Sequence, residues 1–335
     1  MKLTISTSPH IHGGGSTRSV MAWVLIALLP AGVWSVIMFG LRAAVVIAAA
    51  TAAAVCTEYL LNRIFKKSFT LGDLSAAVTG VLIGYNMPPQ VPLFIPIAAS
   101  VFAIAVVKWS FGGLGANWMN PALAGRVFVF FSWGAGMTQW TLPRFGSAAD
   151  AVSAATALGG VKTALTNLPP SVHGPMELLA GSGMPVSYMD LFLGRVPGSL
   201  GEISALLLIL GGLLLCVLRI ANWEIPVFYI ASFALLIWIF DGYSYGGGMF
   251  SGDVLFHLLS GGLMLGAWFM ATDLVTSPLL RGGRIIFGIG CGLMTFVIRV
   301  FGSLPEGVSL AIIFMNILTP LIDRYMTPKR YGKHK

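Results

Sequence analysis

The chain has 335 residues, 56% of them hydrophobic and only 10% charged, with a net charge of +8. A charged fraction below half the usual ~25% excludes an ordinary soluble domain and predicts an all-α polytopic membrane protein. The basic residues flank apolar runs and form no interleaved aromatic-basic surface, which argues against a nucleic-acid partner and for the lipid bilayer.

The polar N-terminus, MKLTISTSPHIHGGGSTRS, lacks the basic, apolar and small-residue order of a cleavable signal. The first apolar run is therefore expected to act as the targeting signal. Ten spans are predicted, at 19–39, 42–62, 73–87, 91–108, 121–137, 202–219, 224–240, 253–272, 284–301 and 306–323. The third is short and ends at Pro88-Pro89, which predicts a tilted, broken or partial span. The chain thus reads as one membrane domain. It has a first five-span half (1–137), a long loop (138–201) and a second five-span half (202–335). With the N-terminus placed in the cytoplasm, fourteen Lys and Arg residues fall on the cytoplasmic side, among them Lys108, Arg219, Arg281 and Arg284. Two, Arg42 and Arg299, fall on the other side once the long loop is set aside. The positive-inside rule then predicts both termini in the cytoplasm and the 138–201 loop outside.

The halves resemble one another. LSAAVTGVLIGYNMPP (74–89) resembles LSGGLMLGAWFMATDLVTSP (259–278), and VVKWSFGGLG (106–115) resembles VIRVFGSLPEG (297–307). MNPALAG (119–125) and MNILTPLID (315–323) form a looser third match. Five spans per half force the second half to enter from the opposite face, which predicts a 5+5 inverted repeat with interrupted helices. Such a fold gathers exposed backbone groups into polar sites that suit a solute, an ion or a cofactor.

Few residues carry chemistry. Cys56, Cys216 and Cys291 are isolated and mid-span, with no metal-ligand spacing, and read as buried core thiols. His257 reads as a structural histidine. Arg126, inside a span, requires a carboxylate, exposed carbonyls or an anionic ligand. Asp273 is an ion-route or cofactor candidate; the competing reading is an interfacial cap or an ion pair with Arg281 or Arg284. Asn117 and Asn120 lie beside a glycine turn. Their amides could meet the edge of a heterocycle, or Asn120 could cap the span that begins at Pro121. In the long loop, Ser153-Ala154-Ala155-Thr156 is either a turn of alanine-rich helix or a point of covalent attachment.

Several of these segments together resemble a known family, which unites the D-type membrane component of the Rnf electron-transport complex with the B-type component of the sodium-pumping NADH:quinone reductase. The resemblance covers nearly the whole chain. It rests on SPHIHGGGSTRSVM, GGLGANWMNPALAG (112–125), the outward SAAT, HLLSGGLMLGAWFMATDLVTSP (257–278) and the block 281–323. The lack of an extended N-terminal arm favours the Rnf side of the family. The resemblance implies a flavin-bearing subunit of a ferredoxin:NAD oxidoreductase complex that moves sodium ions or protons across the bacterial cell membrane. It implies FMN joined through its phosphate to Thr156, installed by a flavin transferase, with Ser153 and Ala155 as neighbouring motif residues. Ala154 and Ala155 are a mild departure from the glycine found near this position in the family. A second, non-covalent flavin, riboflavin, is implied nearer the cytoplasm, with Asn117 and Asn120 as candidate contacts. Two flavins on opposite faces would be about 30 Å apart, so a repeat-built core or a neighbouring subunit must shorten the path. The competing class is an inverted-repeat channel or transporter for a small solute or ion, which leaves the outward SAAT without a role.

Overall fold

The computed structural model describes residues 16–66, 71–143, 153–167, 174–184 and 186–326. The N-terminal SPHIHGG stretch, Lys2, Lys67, Arg144 and the basic residues from Lys329 onward lie outside the described residues.

The protein is an integral membrane protein, mostly helical over the described residues. In chain order α1 (Thr17–Phe39) leads directly through Gly40 into α2 (Leu41–Ile64). Next come α3 (Ser75–Tyr85) and α4 (Phe94–Phe102), the latter running on into a π-helical stretch, Ala103–Trp109. They are followed by α5 (Pro121–Ser132) and the single turn α6 (Gly134–Met137). The region predicted as a loop contains a two-residue antiparallel ladder, β1 (Trp140–Thr141) with β2 (Ser153–Ala154). Three short helices follow: α7 (Ala157–Asn167), α8 (Pro175–Gly181) and α9 (Tyr188–Leu193). The second half holds α10 (Ala205–Val217), α11 (Glu224–Phe240), α12 (Val254–Leu259), α13 (Leu263–Leu265, continuing as a π-turn through Met270), α14 (Arg281–Val300) and α15 (Val308–Tyr325).

Every predicted span contains helix, but only five helices among the described residues are long and apolar enough to cross a membrane alone: Thr17–Phe39, Leu41–Ile64, Glu224–Tyr245, Arg281–Val300 and Val308–Tyr325. The others are shorter or broken. α3 has 11 residues, a rise of roughly 16 Å against ~30 Å of hydrocarbon. It begins after Leu74 in a left-handed conformation (φ 63°) and stops before Pro88. The α12–α13 pair breaks at Gly261 (φ 69°). Broken helices expose backbone groups that hydrocarbon cannot satisfy, and the rest of the chain supplies partners. Leu200 and Gly201 donate to the carbonyls of Met87 and Tyr85 at 3.0 and 2.9 Å, closing the end of α3. Arg299 Nη1 donates to the His257 carbonyl at 2.6 Å, beside the break after α12.

Small residues let these short helices sit deep. A Cβ on Gly80 would lie 2.5 Å from Thr51 Cα, and one on Gly84 2.8 Å from Ile47 Cα. α3 therefore packs backbone against backbone on α2, the close approach typical of membrane helices. α1 packs on α10 and α5 on α15. Outside this core, α1 leaves Ile26, Leu29, Val33 and Ile37 exposed at helical spacing, a face suited to lipid.

The "loop" has its own small core. Leu158, Val161, Leu178, Leu179 and Leu191 pack together and onto Tyr245 and Phe256 of the second half. Gly194 ends α9 in a left-handed conformation (φ 84°), and a Cβ there would lie 2.8 Å from the Ile203 carbonyl and from Ser204 N. Both the conformation and the collision penalise any side chain. Gly194→Ala is expected to cost roughly 1–3 kcal/mol, read as a lowered unfolding midpoint of the purified protein in detergent.

The cysteines differ from the sequence reading. Cys291 is buried, but Cys56 is exposed and Cys216 only half-buried, because the outer faces of α2 and α10 are themselves apolar. The third repeat match also fails in position: Asn120 precedes α5, whereas Asn316 lies in the middle of α15. They meet instead, Asn120 N–H donating to Asn316 Oδ1 at 3.3 Å.

Candidate functional site

Two polar regions lie at opposite ends of the helices. At one end, Asn117, Asn120 and Asp273 line a single chamber with Ser75, Lys108 and Thr272. Pro121 at the start of α5 gives Asn120 a cap role, and its Oδ1 accepts from the N–H groups of Ala122 and Leu123 at 3.0 and 3.3 Å. Its Nδ2 donates to the Met270 carbonyl at 3.1 Å, where the π-turn ends. Capping is thus the observed work of Asn120, and its amide is committed on both sides. Asn117 is different: its Oδ1 is buried with no hydrogen-bond partner. A buried acceptor without a donor is costly, so Asn117 offers the chamber an unmet polar group that a ligand N–H would satisfy. Asn120→Ala is expected to cost about 1–2 kcal/mol through the lost cap and the orphaned Met270 carbonyl; Asn120→Asp, keeping the cap oxygen, should recover part of the lost unfolding midpoint.

Asp273 does not pair with Arg281 or Arg284. Its Oδ2 accepts from Thr276 Oγ1 at 3.1 Å, while both arginines lie against Glu224, at 3.5 and 3.8 Å. Glu224 opens α11, which brings it within reach of the start of α14. Lys108 also departs from the sequence reading. Rather than a cytoplasmic flanking charge, it is buried and bonded to Glu58 at 2.9 Å and to Ser75 Oγ at 2.6 Å. Ser75 Oγ in turn donates to Asp73 Oδ1 at 2.6 Å. The π-helical end of α4 turns Lys108 inward. Glu58 lies inside a predicted span, and a carboxylate at that depth already requires a cation; that signal was in the sequence and was missed.

At the other end, Thr156 stands immediately before α7. Its Oγ1 accepts from Gly159 N–H at 3.1 Å and its carbonyl from Gly160 N–H at 2.7 Å, so it caps the 11-residue helix. Its neighbours are small: Ala154 and Ala155 precede it, and a Cβ on Gly159 would come within 3.0 Å of Thr156 Oγ1. Ser153 lies in β2, paired with Thr141, not at a helix end. Lys162, on α7, donates to the carbonyls of Arg299, Gly302 and Leu304 and so fastens α7 to the end of α14. Burial and the Arg299 guanidinium push the Lys162 ammonium below its usual range.

Thr156 faces two hollows. One, lined also by Ser199, Glu202, Ser260 and Glu306, is small. The other is an open, mainly apolar cleft between the end of α5 and residues 304–310. Arg126 lines it and finds the partners that its position in a span demands: Ser309 Oγ at 2.8 Å, Glu202 at 3.4 Å, and Glu306. His257, read as structural, meets buried Asp241 at 3.0 Å. Glu202 and Glu306 escaped sequence reading because their shared partner is 76 and 180 residues away.

The chain matches the model of the NQR2, RnfD, RnfE family over residues 4–332. It is 42% identical to the D component of the proton-translocating ferredoxin:NAD(+) oxidoreductase complex of Clostridium ljungdahlii, over 99% of this chain and 97% of that protein. It is 43% identical to the D component of the Na(+)-translocating ferredoxin:NAD(+) oxidoreductase complex of Acetobacterium woodii, over 100% of this chain and 97% of that protein. Its similarity to the D component of the ion-translocating oxidoreductase complex of Stutzerimonas stutzeri is 41% identity, over 95% and 93% of the two chains.

Proposed function

Because this chain belongs to the NQR2, RnfD, RnfE family, we propose that it is a membrane subunit of an ion-translocating ferredoxin:NAD(+) oxidoreductase complex, bearing FMN on Thr156. The observation that carries the flavin reading is the place of Thr156 at the N-terminus of α7. A phosphodiester there keeps one negative charge, and the dipole of the helix start favours an anion at that spot. Ser153 has no such helix start. Bound flavin supplies reversible electron transfer; the chain's part is to hold it at the edge of the membrane. Attachment needs a flavin transferase. Thr156 Oγ bonds to the flavin-bearing phosphorus of FAD, AMP leaves, and the hydroxyl proton passes to the transferase base.

The chamber at the opposite end is assigned to a second, non-covalent flavin, riboflavin, with Asn117 as its leading contact and Asn120 holding the wall. Asp273, in the same wall, is the ion-route candidate. The ten-span, 5+5 inverted arrangement, with halves 1–137 and 202–335 joined by 138–201, is supported by helix direction. α1 begins at the Asn120 chamber and α10 ends there, while α5 ends at the Thr156 cleft and α15 begins there. Thus each packed pair, α1 with α10 and α5 with α15, runs antiparallel. Lys108 and Arg299, matched in the repeat, are both buried against a short helix, Lys108 at the start of α3 and Arg299 at the end of α12. Cytoplasmic termini put Thr156 outside and the Asn117 chamber inside. Partners are the other subunits of the complex. Relatives named for protons and for sodium match this chain almost equally, at 42% and 43%, so the ion is a question for transport assays on the complex.

Mass spectrometry of the peptide spanning residues 153–162, from protein made alongside a flavin transferase, should show an FMN phosphoryl adduct on Thr156. A wholly unmodified peptide from such cells refutes the proposal.

A further inference from the structure

The cleft beside Thr156 has properties that capping and attachment do not use. Its walls carry Phe130, Phe131 and Trp140 with Leu304 and Pro305. That open, aromatic and apolar lining suits one face of a flat aromatic ligand. The β1–β2 ladder sets Trp140 directly opposite Ala154, two residues before Thr156, so the attachment segment runs along the cleft wall. Arg126 lines the same cleft and is held rigidly by Ser309, Glu202 and Glu306.

We propose that this cleft receives the isoalloxazine ring of the flavin on Thr156, and that the Arg126 guanidinium beside the ring raises its reduction potential. The inference rests on Thr156 being the attachment residue. The ribityl phosphate is a short tether, and the cleft is the larger of the two hollows that Thr156 lines. Glu306 borders both hollows, but the smaller one adds Glu202 and is not lined by Arg126, so it would oppose an anionic ring. Uptake of two electrons and one proton leaves the neutral ring with one negative charge. A fixed positive group in a water-poor cleft favours that product over the neutral oxidised form, because its orientation is already set. The surrounding charges give the sign of the effect. Arg126 faces Glu202 and Glu306, with Arg299 Nε donating to the Glu306 carbonyl at 3.3 Å and Lys162 tied to the Arg299 carbonyl at 3.3 Å. Replacing Arg126 by a neutral residue removes the one guanidinium in contact with both Glu202 and Glu306 and makes the charge beside the ring more negative, which disfavours the reduced anion.

The test uses the full chain with its flavin adduct first verified by mass spectrometry. In a dithionite titration followed by visible absorbance, Arg126→Gln should lower the midpoint potential, and Arg126→Lys should restore most of the shift. A network serving only to hold the fold would not move the potential, so an unchanged value in a folded Arg126→Gln protein overturns the role of Arg126. Trp140→Phe spares the ion pairs and checks placement. Stacking on Trp140 quenches flavin emission, so this variant should brighten several-fold. Unchanged brightness, as expected if a lipid tail or another subunit fills the cleft, overturns the placement. Wild-type protein without an adduct would instead overturn the attachment reading beneath both.

Discussion

Thr156→Ala is expected to yield a folded protein whose band stays dark under ultraviolet light after denaturing electrophoresis, whereas Ser153→Ala should glow like the wild type. The two losses expected of Thr156→Ala differ greatly in size. As a helix cap, Thr156 contributes on the order of 1 kcal/mol. The site is half-buried, so water can replace the lost bond to Gly159. As an attachment residue its effect is all or none, because alanine has no oxygen to esterify. Thr156→Ser separates the two roles: it keeps both the cap oxygen and a hydroxyl nucleophile, so stability is held and some flavin retained. A glowing Thr156→Ala band would move the attachment to another residue and remove the basis of the assignment.

The second large effect is at the opposite end. Lys108→Ala is expected to lower stability by about 3–5 kcal/mol, the cost of removing one partner of a buried ion pair. Lys108 and Glu58 are only 3% and 4% exposed along their side chains, so solvent screening offers little relief. Ser75 Oγ, 2.6 Å from the ammonium, cannot neutralise a carboxylate. Glu58→Gln should be similarly harmful. The double replacement Lys108→Met with Glu58→Leu removes both charges together and should recover most of the loss, since apolar pairs of similar volume match buried ion pairs in stability. Unfolding midpoints in detergent compare the three variants with the wild type. If the double variant proves as unstable as Lys108→Ala, the ion pair is not the cause. Because Lys108 also lines the Asn117 chamber, the flavin proposed for that chamber should be retained less on purification of Lys108→Ala.

Much of the fold was legible from apolar runs, because a span in hydrocarbon must be helical and its length is bounded. The short third span was legible from Pro88-Pro89, and the cap role of Asn120 from the proline that follows it. What escaped reading depended on direction or distance. Lys108 looked like a flanking charge because position in a sequence does not say which way a side chain turns. Asp273 looked like a partner for Arg281 and Arg284 by proximity along the chain, yet Glu224 took both. The helices and two-residue ladder within 138–201 were hidden by low hydrophobicity, since their small core is completed by Tyr245 and Phe256 from the second half.

By itself the sequence determined that this is a helical membrane protein, where its long apolar helices fall, and that SAAT, the Asn117–Asn120 turn and Arg126 merit attention. Local composition and periodicity carry that information. Only the tertiary structure decided that Thr156 stands at a helix start beside an aromatic cleft, that Arg126 is held there by Glu202 and Glu306, and that Asn117 and Asp273 share one chamber. The physical reason is that burial in a low-dielectric core forces each charge and each exposed backbone group to find a partner. Those partners come from whichever distant segment the packing brings near.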